Sequence, residues 1–84
     1  MSGSTKLERL LNLTALLLET PRPLTAEEIR TRVPHYPDDK ESFRRSFERD
    51  KEDLREKGVP IDVEEVPGID PPIDGYRIRK DRYY

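Results

Sequence analysis

Apolar residues recur at helical spacing along the first part of this 84-residue chain and at alternate positions along its last part. The first stretch predicts a helix over residues 6–20, which the prolines at 21 and 23 end. Its predicted buried stripe consists of Leu7, Leu10, Leu11, Thr14, Leu17 and Leu18. Leu13 and Leu16 fall outside that stripe. We expect either that the C-terminal Tyr83 and Tyr84 cover them or that a partner docks there.

Capping sequences mark two further helices. Thr25 and Glu28 have the spacing of a capping box, in which each side chain accepts a hydrogen bond from a free backbone amide of the other residue. The second helix therefore begins at Thr25, and Pro34 ends it. Asp38 and Glu41 predict a second capping box, which leads into the third helix.

The third helix carries the strongest functional signal. Its buried face consists of Phe43, Phe47, Asp50 and Leu54, which are spaced four, three and four residues apart. Gly58 follows the last turn, where a left-handed cap is favoured. Off the buried face, the first half of the helix presents Ser42, Arg44, Arg45, Ser46 and Arg49. Such side chains suit a major groove, where the leading residues of a recognition helix meet base edges.

The arginines also have a purely structural interpretation. Arg44 with Glu48, and Arg49 with Asp53, are four residues apart and are able to form ion pairs on a solvated helix face. Each such pair contributes only about 0.2–0.5 kcal/mol. Arg45 and Arg49 are also four apart, however, and like charges at this spacing are mildly unfavourable unless an anion lies between them. The charge pattern alone leaves the two interpretations equal, and the order of helices and strands along the whole chain favours a DNA contact.

Two short strands follow the third helix. Val59, Ile61 and Val63 alternate with polar or proline residues, and Tyr76 alternates with Arg77 in the same way before Ile78. The proline-rich segment 66–75 joins them as a hairpin. The predicted fold is therefore α+β, a winged helix-turn-helix of three helices followed by a two-stranded antiparallel hairpin. It occupies residues 6–84, after a disordered start or tag remnant at residues 1–5.

Charge is unevenly distributed along the chain. Sixteen basic and eighteen acidic side chains give a net charge of −2, which is unusual for a nucleic-acid binder. The segment 59–75 has five acidic and no basic residues, whereas 76–84 has four basic residues and one acidic residue. A local basic patch is sufficient for DNA binding. We therefore expect an acidic hairpin tip that faces water, and Arg77 and Arg79 as additional candidates for the DNA backbone.

Several classes of function are disfavoured by composition. The chain has no cysteine and one histidine, so we expect neither disulfides nor a metal site. The acidic residues follow helical surface spacing, and a glycine-rich phosphate loop is missing from the sequence. We therefore expect no catalytic residues and no cofactor. The longest apolar run is residues 15–18, which is too short to span a membrane.

Five stretches of the chain resemble the N-terminal winged helix of bacterial WYL-domain transcription regulators. They are residues 6–13, 23–29, 43–61, 75–78 and 83–84. The chain is especially similar to the actinobacterial proteasome accessory factor B and C (PafB/PafC) group. Within the third stretch, the residues that match the family pattern are Ser46, Phe47, Arg49, Asp50, Leu54, Gly58, Pro60 and Ile61. Lys51 departs from the pattern, because the family has an apolar residue there.

The resemblance implies a sequence-specific reader of double-stranded DNA. It also implies that full-length relatives continue into a WYL domain, which binds a nucleic acid or another ligand and is absent from this sequence. The chain is then either a truncated regulator or a stand-alone protein. Members of the B and C group act together and are associated with the DNA-damage response, so the resemblance implies a paralogous subunit as a partner.

These observations predict the DNA-reading module of a bacterial transcription regulator in the cytoplasm, associated with the nucleoid. The predicted contact residues are Ser42, Arg44, Arg45, Ser46, Arg49, Arg77 and Arg79. Other expected partners are a second copy of the chain or RNA polymerase. The alternative is a protein-interaction winged helix, in which the acidic hairpin and the Leu13–Leu16 stripe dock RNA polymerase or a partner subunit.

Overall fold

The computed structural model describes the backbone of residues 2–83 and the side chains of residues 5–81. The elements, in chain order, are α1 (Ser2–Glu19), β1 (Leu24–Thr25), α2 (Ala26–Arg32), α3 (Lys40–Glu56), β2 (Ile61–Glu65), β3 (Asp74–Ile78) and α4 (Lys80–Tyr83). The strands form one antiparallel sheet in the order β1-β3-β2. The predicted α+β class is confirmed, and the layout is compatible with a winged helix.

The predicted buried stripe of α1 is confirmed only in part. Leu17 is fully buried and Leu10 and Leu18 pack against the core, as predicted. Leu13, predicted to lie outside the stripe, is also fully buried, whereas Leu7 and Leu11 are 57% and 62% exposed. The leucines extend around more than half of this helix, so spacing alone does not select the buried face. Leu16 is partly buried against the core. The side chains of Tyr83 and Tyr84, predicted to cover this region, lie outside the described residues.

The start of α1 also differs from the prediction. The helix begins at Ser2 instead of Lys6, so residues 2–5, predicted as a disordered start or tag remnant, are helical. Serine, threonine and one glycine have modest helix propensity, and their composition resembles a linker. The long leucine-rich helix that follows extends through them, because elongating an existing helix is easier than nucleating a new one.

The two capping predictions have different outcomes. The capping box of α2 is confirmed: the Glu28 amide donates to the Thr25 hydroxyl at 3.1 Å, and the Thr25 amide donates to the Glu28 carboxylate at 3.1 Å. The N-cap of α3 is Asp39, whose carboxylate accepts a hydrogen bond from the Ser42 amide at 2.9 Å. The prediction of Asp38 was therefore wrong by one residue. Adjacent aspartates have the same capping chemistry, so only the geometry distinguishes them.

The sheet has one strand more than predicted. Residues Leu24–Thr25 pair with β3 in the register Leu24↔Tyr76 and Thr25↔Gly75. A two-residue strand is too short to show an alternating pattern, so it was not predictable from the sequence. Gly75 permits this pairing, because a Cβ atom there would lie 2.6 Å from Pro23 Cβ and 2.8 Å from Val66 Cγ2.

Strands β2 and β3 form the predicted hairpin. They pair from Ile61↔Ile78 to Glu65↔Asp74, and the Val66 amide closes the connection by donating to the Ile73 carbonyl at 2.9 Å. Ile61 and Ile78 are buried as predicted. Val63, predicted to face the core, is half exposed. Burial along the hairpin is therefore uneven, since Val66 at its far end is buried again.

Aromatic rings hold α3 to the rest of the core. Phe43 and Phe47 are buried and stack with their ring centroids 5.4 Å apart. The ring of Tyr36 meets Phe43 edge to face at 5.0 Å, and Tyr76 meets Phe47 in the same way at 5.1 Å. Gly58 has a φ of 90° after the helix, which confirms the predicted left-handed cap.

A buried carboxylate fixes α1 against α3. Asp50 has no exposed surface. The Arg9 guanidinium donates to both of its oxygens, at 2.6 Å and 3.0 Å, and the Tyr36 hydroxyl donates to one of them at 2.7 Å. Burial, reinforced by the bond to Asp50, raises the pKa of Tyr36, so its hydroxyl stays protonated as a donor. Three elements of the fold therefore meet at one carboxylate.

We expect Tyr36→Phe to lower the free energy of unfolding by about 1.5–3 kcal/mol, because it removes a hydrogen bond to a buried charged group. Chemical denaturation measures this difference. Tyr76→Phe is the matched control, since the Tyr76 hydroxyl forms no hydrogen bond with the described residues. Equal losses for the two variants would contradict a structural role for the Tyr36–Asp50 bond.

The capping box of α2 predicts a pH-dependent contribution to stability. The bidentate bond from Arg22 and the Thr25 amide lower the pKa of Glu28 to about 2. A carboxylate whose pKa is lowered by folding stabilises the fold at pH values above its pKa in the unfolded chain, which is about 4.3 for glutamate. This contribution is lost as the pH falls from that value through about 2.

We therefore expect Glu28→Gln to be less stable than the unmodified chain at pH 7, by up to about 1 kcal/mol because the ion pair is partly in solvent. The difference should shrink as the pH falls below about 4. Unfolding free energies measured along a pH series test this, with Glu56→Gln on the exposed end of α3 as the control. A difference that stays constant from pH 7 to pH 2 would contradict the role assigned to the Glu28 carboxylate.

Candidate nucleic-acid interface

Three arginines on the first half of α3 project into solvent. Arg44, Arg45 and Arg49 are all exposed. Within the described part of the chain, none of the three forms an ion pair. The two intrahelical pairs of the structural interpretation, Arg44 with Glu48 and Arg49 with Asp53, are therefore not formed among these residues. Their charges remain available to a ligand.

Lys51 takes the carboxylate that would otherwise pair with Arg44. The Lys51 ammonium donates to Glu48 at 3.0 Å. It also lies 4.5 Å from the ring centroid of Phe47 and 4.4 Å from that of Tyr76, and its side chain is only 6% exposed. A lysine held between two aromatic faces gains cation–π attraction while its stem packs as an apolar group. This explains how lysine occupies a position where the resembling family has an apolar residue.

Lys6 takes the carboxylate that would otherwise pair with Arg49. Its ammonium donates to Asp53 at 2.7 Å and links the start of α1 to the second half of α3. The bond from Lys6 lowers the pKa of Asp53, which keeps this carboxylate ionised. Arg49 lies near enough to Asp53 to contribute to that shift but does not form a bond with it.

The structure gathers most of the predicted contact residues around one cleft between α1 and α3. Its lining residues are Lys6, Arg9, Ser42, Arg45, Ser46 and Arg49. Arg44 lies on the other flank of α3, where it borders an open groove whose lining includes Phe43, Phe47 and Tyr76. Lys6 and Arg9 were missed in the sequence analysis, because nothing local to α1 shows that this end of the helix lies beside α3.

Arg77 and Arg79 are placed elsewhere. Arg77 is half-buried and lines a cleft with the C-terminal end of α1, around Glu19 and Thr20. Arg79 follows β3 and lies 3.8 Å from the Glu64 carboxylate and 3.5 Å from that of Asp81. Neither lines the clefts that contain the α3 arginines. The structure therefore does not bring the two predicted groups of cations together.

The hairpin tip is apolar and acidic. Ile69 and Ile73 are partly exposed, and Asp70 and Asp74 lie beside them. Segment 59–75 has no basic residue to offer to a phosphate, and the nearby Arg22 is bonded to Glu28. The positive side chains of the candidate interface lie on α3 and on the start of α1.

The described residues contain neither a cluster of metal ligands nor a membrane-spanning helix. No three histidine, aspartate or glutamate side chains among them are grouped as metal ligands. His35, at a φ of 78° in the turn after α2, bonds to Glu8 at 3.1 Å. Over the same residues, no helix has both the length and the apolar character needed to cross a membrane.

Comparison with known proteins gives one consistent group of relatives. The chain is 48% identical over 83 residues to Protein PafB of Mycobacterium leprae (strain TN). It is 46% identical over 83 residues to Protein PafB of Mycobacterium tuberculosis (strain ATCC 25618 / H37Rv) and of Mycobacterium bovis (strain ATCC BAA-935 / AF2122/97). No protein-family model matches the chain.

These alignments include nearly all of the chain but only part of the relatives. They cover 96% of this chain, which spans about a quarter of the length of the curated relatives it matches. Identity near one half over 83 residues shows common descent of this segment. The resemblance to the proteasome accessory factor B and C group, inferred from the sequence, is therefore confirmed by its PafB homologues over 96% of the chain.

Proposed function

We propose that this chain is the sequence-specific, double-stranded DNA-binding module of a bacterial transcription regulator. The observation that carries the proposal is the row of three exposed arginines on α3, since two of their potential carboxylate partners, Glu48 and Asp53, are bonded to lysines instead. Solvated guanidinium groups on the leading half of such a helix match the acceptor edges of guanine and the phosphate oxygens that border a major groove.

The arginines are assigned different roles by their positions. Arg45 lies near the centre of the exposed face, where its side chain points away from the core, and we assign it to a base edge. Arg44 and Arg49 lie to either side, and at least one of them contacts phosphate. Ser42 and Ser46 contact phosphate or base edges beside them. Arg77 and Arg79 stay outside the proposed contact, because Arg79 already faces two carboxylates and Arg77 lies at the other end of α1.

The proposal for the wider role rests on the resemblance to the PafB/PafC group. We infer a part in regulating transcription linked to the DNA-damage response, in the cytoplasm at the nucleoid, with a paralogous subunit, a second copy or RNA polymerase as partner. The proposed role is non-catalytic and needs no cofactor. The continuation of the PafB relatives beyond this segment is consistent with a reader module that works with a further domain.

One observation favours a second candidate, a protein-docking winged helix. Leu7 and Leu11 are exposed on α1, and the hairpin tip is acidic. The surface first expected for docking, Leu13 to Leu16, does not serve, because Leu13 is fully buried. Docking through Leu7 and Leu11 does not account for the unpaired arginines of α3, so DNA binding is preferred.

Competition titrations with selected and random duplexes test the proposal. We expect Arg45→Ala to reduce affinity for a site selected from a random duplex pool by about tenfold or more, and to relax preference at one base pair, since a bidentate arginine–guanine contact is worth about 1–3 kcal/mol. Replacing the arginine that contacts phosphate should weaken all duplexes alike and make the salt dependence shallower by about one unit.

Arg79→Ala is the matched control, because its guanidinium already faces Glu64 and Asp81. Thermal melting checks that each variant folds, and exposed arginines should change stability little. If Arg44→Ala, Arg45→Ala and Arg49→Ala all bind DNA as the unmodified chain does, the recognition-helix assignment fails and the docking alternative is preferred.

A further inference from the structure

The two flanks of α3 differ in charge. On one side, the open groove beside Arg44 is bordered by Asp74 at the start of β3, and the hairpin beyond it is acidic. On the other side, the cleft between α1 and α3 is lined by the four cations Lys6, Arg9, Arg45 and Arg49. A helix lying in a major groove has one sugar–phosphate backbone along each flank. The groove beside Arg44 contains one further cation, Lys40, but is lined by four acidic residues, so only the α1 side has an excess of cations.

The cleft keeps an excess of positive charge after its internal pairs are counted. Arg9 is neutralised by Asp50, which is fully buried, and Lys6 is bonded to Asp53. Arg45 and Arg49 form no ion pair in the described part of the chain, although Asp39 and Asp53 lie near enough to attract them. Four cationic side chains against the three carboxylates of Asp39, Asp50 and Asp53 leave one net positive charge around one concave surface.

The arrangement suits an anion with two or more oxygens. Arg45 and Arg49 are one helical turn apart, and a bridging anion turns their mutual repulsion into shared attraction. The paired N–H donors of a guanidinium group match the non-bridging oxygens of a phosphate. Ser46 also lines the cleft, and its hydroxyl forms no hydrogen bond with the described residues. Lys6 is 41% exposed at the edge of the cleft, so its ammonium is accessible to the same ligand.

We propose that the cleft between α1 and α3 binds a backbone phosphate of duplex DNA, and that Lys6 is one of its ligands. This inference rests on the proposed DNA-binding function and deepens it. It assigns the contact with the DNA backbone to the start of α1 and not to the hairpin, whose segment 59–75 lacks basic residues. Asp53 weakens phosphate binding at this site, because its carboxylate competes with the phosphate for the Lys6 ammonium.

Two substitutions of opposite sign test the site on selected and random duplexes at several salt concentrations. Lys6→Ala should weaken both duplexes by the same factor, about threefold to tenfold, and make the slope of log affinity against log salt shallower by about one unit. Asp53→Asn should strengthen both duplexes by about threefold, because it releases Lys6 and removes a negative charge. Lys80→Ala and Asp81→Asn are the matched controls, because these residues lie in α4, beside the C-terminal end of α1. Both should change affinity by less than about twofold.

The salt slope separates a phosphate ligand from a residue that only positions α3. If Lys6→Ala weakens the selected duplex alone and leaves the salt slope unchanged, Lys6 acts through packing and the inference is wrong. It is also wrong if Lys6→Ala behaves like Lys80→Ala while Arg45→Ala still loses affinity; the proposed function then stands. If the unmodified chain shows no salt-dependent binding to either duplex, the proposed function itself fails.

Discussion

A carboxylate without exposed surface must be neutralised and fully hydrogen-bonded, or its burial becomes too costly for a small domain. Asp50 meets this requirement with two partners from different parts of the chain, Arg9 on α1 and Tyr36 in the connection before α3. Because the bonds are directional, they set how α3 is rotated about its own axis. At about 100° per residue, Arg45 lies roughly 140° around the helix from Asp50, so satisfying Asp50 turns Arg45 towards solvent.

Two lysines determine which arginines of α3 are left unpaired. Lys51 is held by the rings of Phe47 and Tyr76 and reaches Glu48, while Lys6 reaches Asp53 from α1. Both lysines are therefore parts of the scaffold that occupy carboxylates near the arginines. This arrangement explains how a chain with a net charge of −2 keeps unpaired arginines on α3, because acidic residues near them form pairs with lysines.

Features set by neighbours in the sequence were predictable. The buried face of α3, the capping box of Thr25 and Glu28, and the left-handed cap at Gly58 depend on spacing and local backbone chemistry, and each is found as expected. The candidate arginines were found in the same way, because surface position on a helix follows from the position of its buried face. Charge by segment also identified the acidic hairpin correctly.

Features set by contacts between distant residues were not predictable. The leucines of α1 extend around more than half of the helix, so only packing against the other elements shows that Leu13 belongs to the core and Leu7 does not. Strand β1 exists only through its pairing with β3. The contribution of Lys6 to the basic cleft depends on a bond to a residue 47 positions away, to which no local pattern points.

A DNA contact by α3, with its arginines left unpaired, is tested by NMR. Backbone amide chemical shifts are recorded during titration with a short random-sequence duplex at low salt. We expect the largest shifts in the first half of α3 and at the start of α1, with the hairpin tip at residues 66–73 unchanged. Shifts concentrated in the hairpin tip, with α3 unaffected, would show that DNA binds elsewhere.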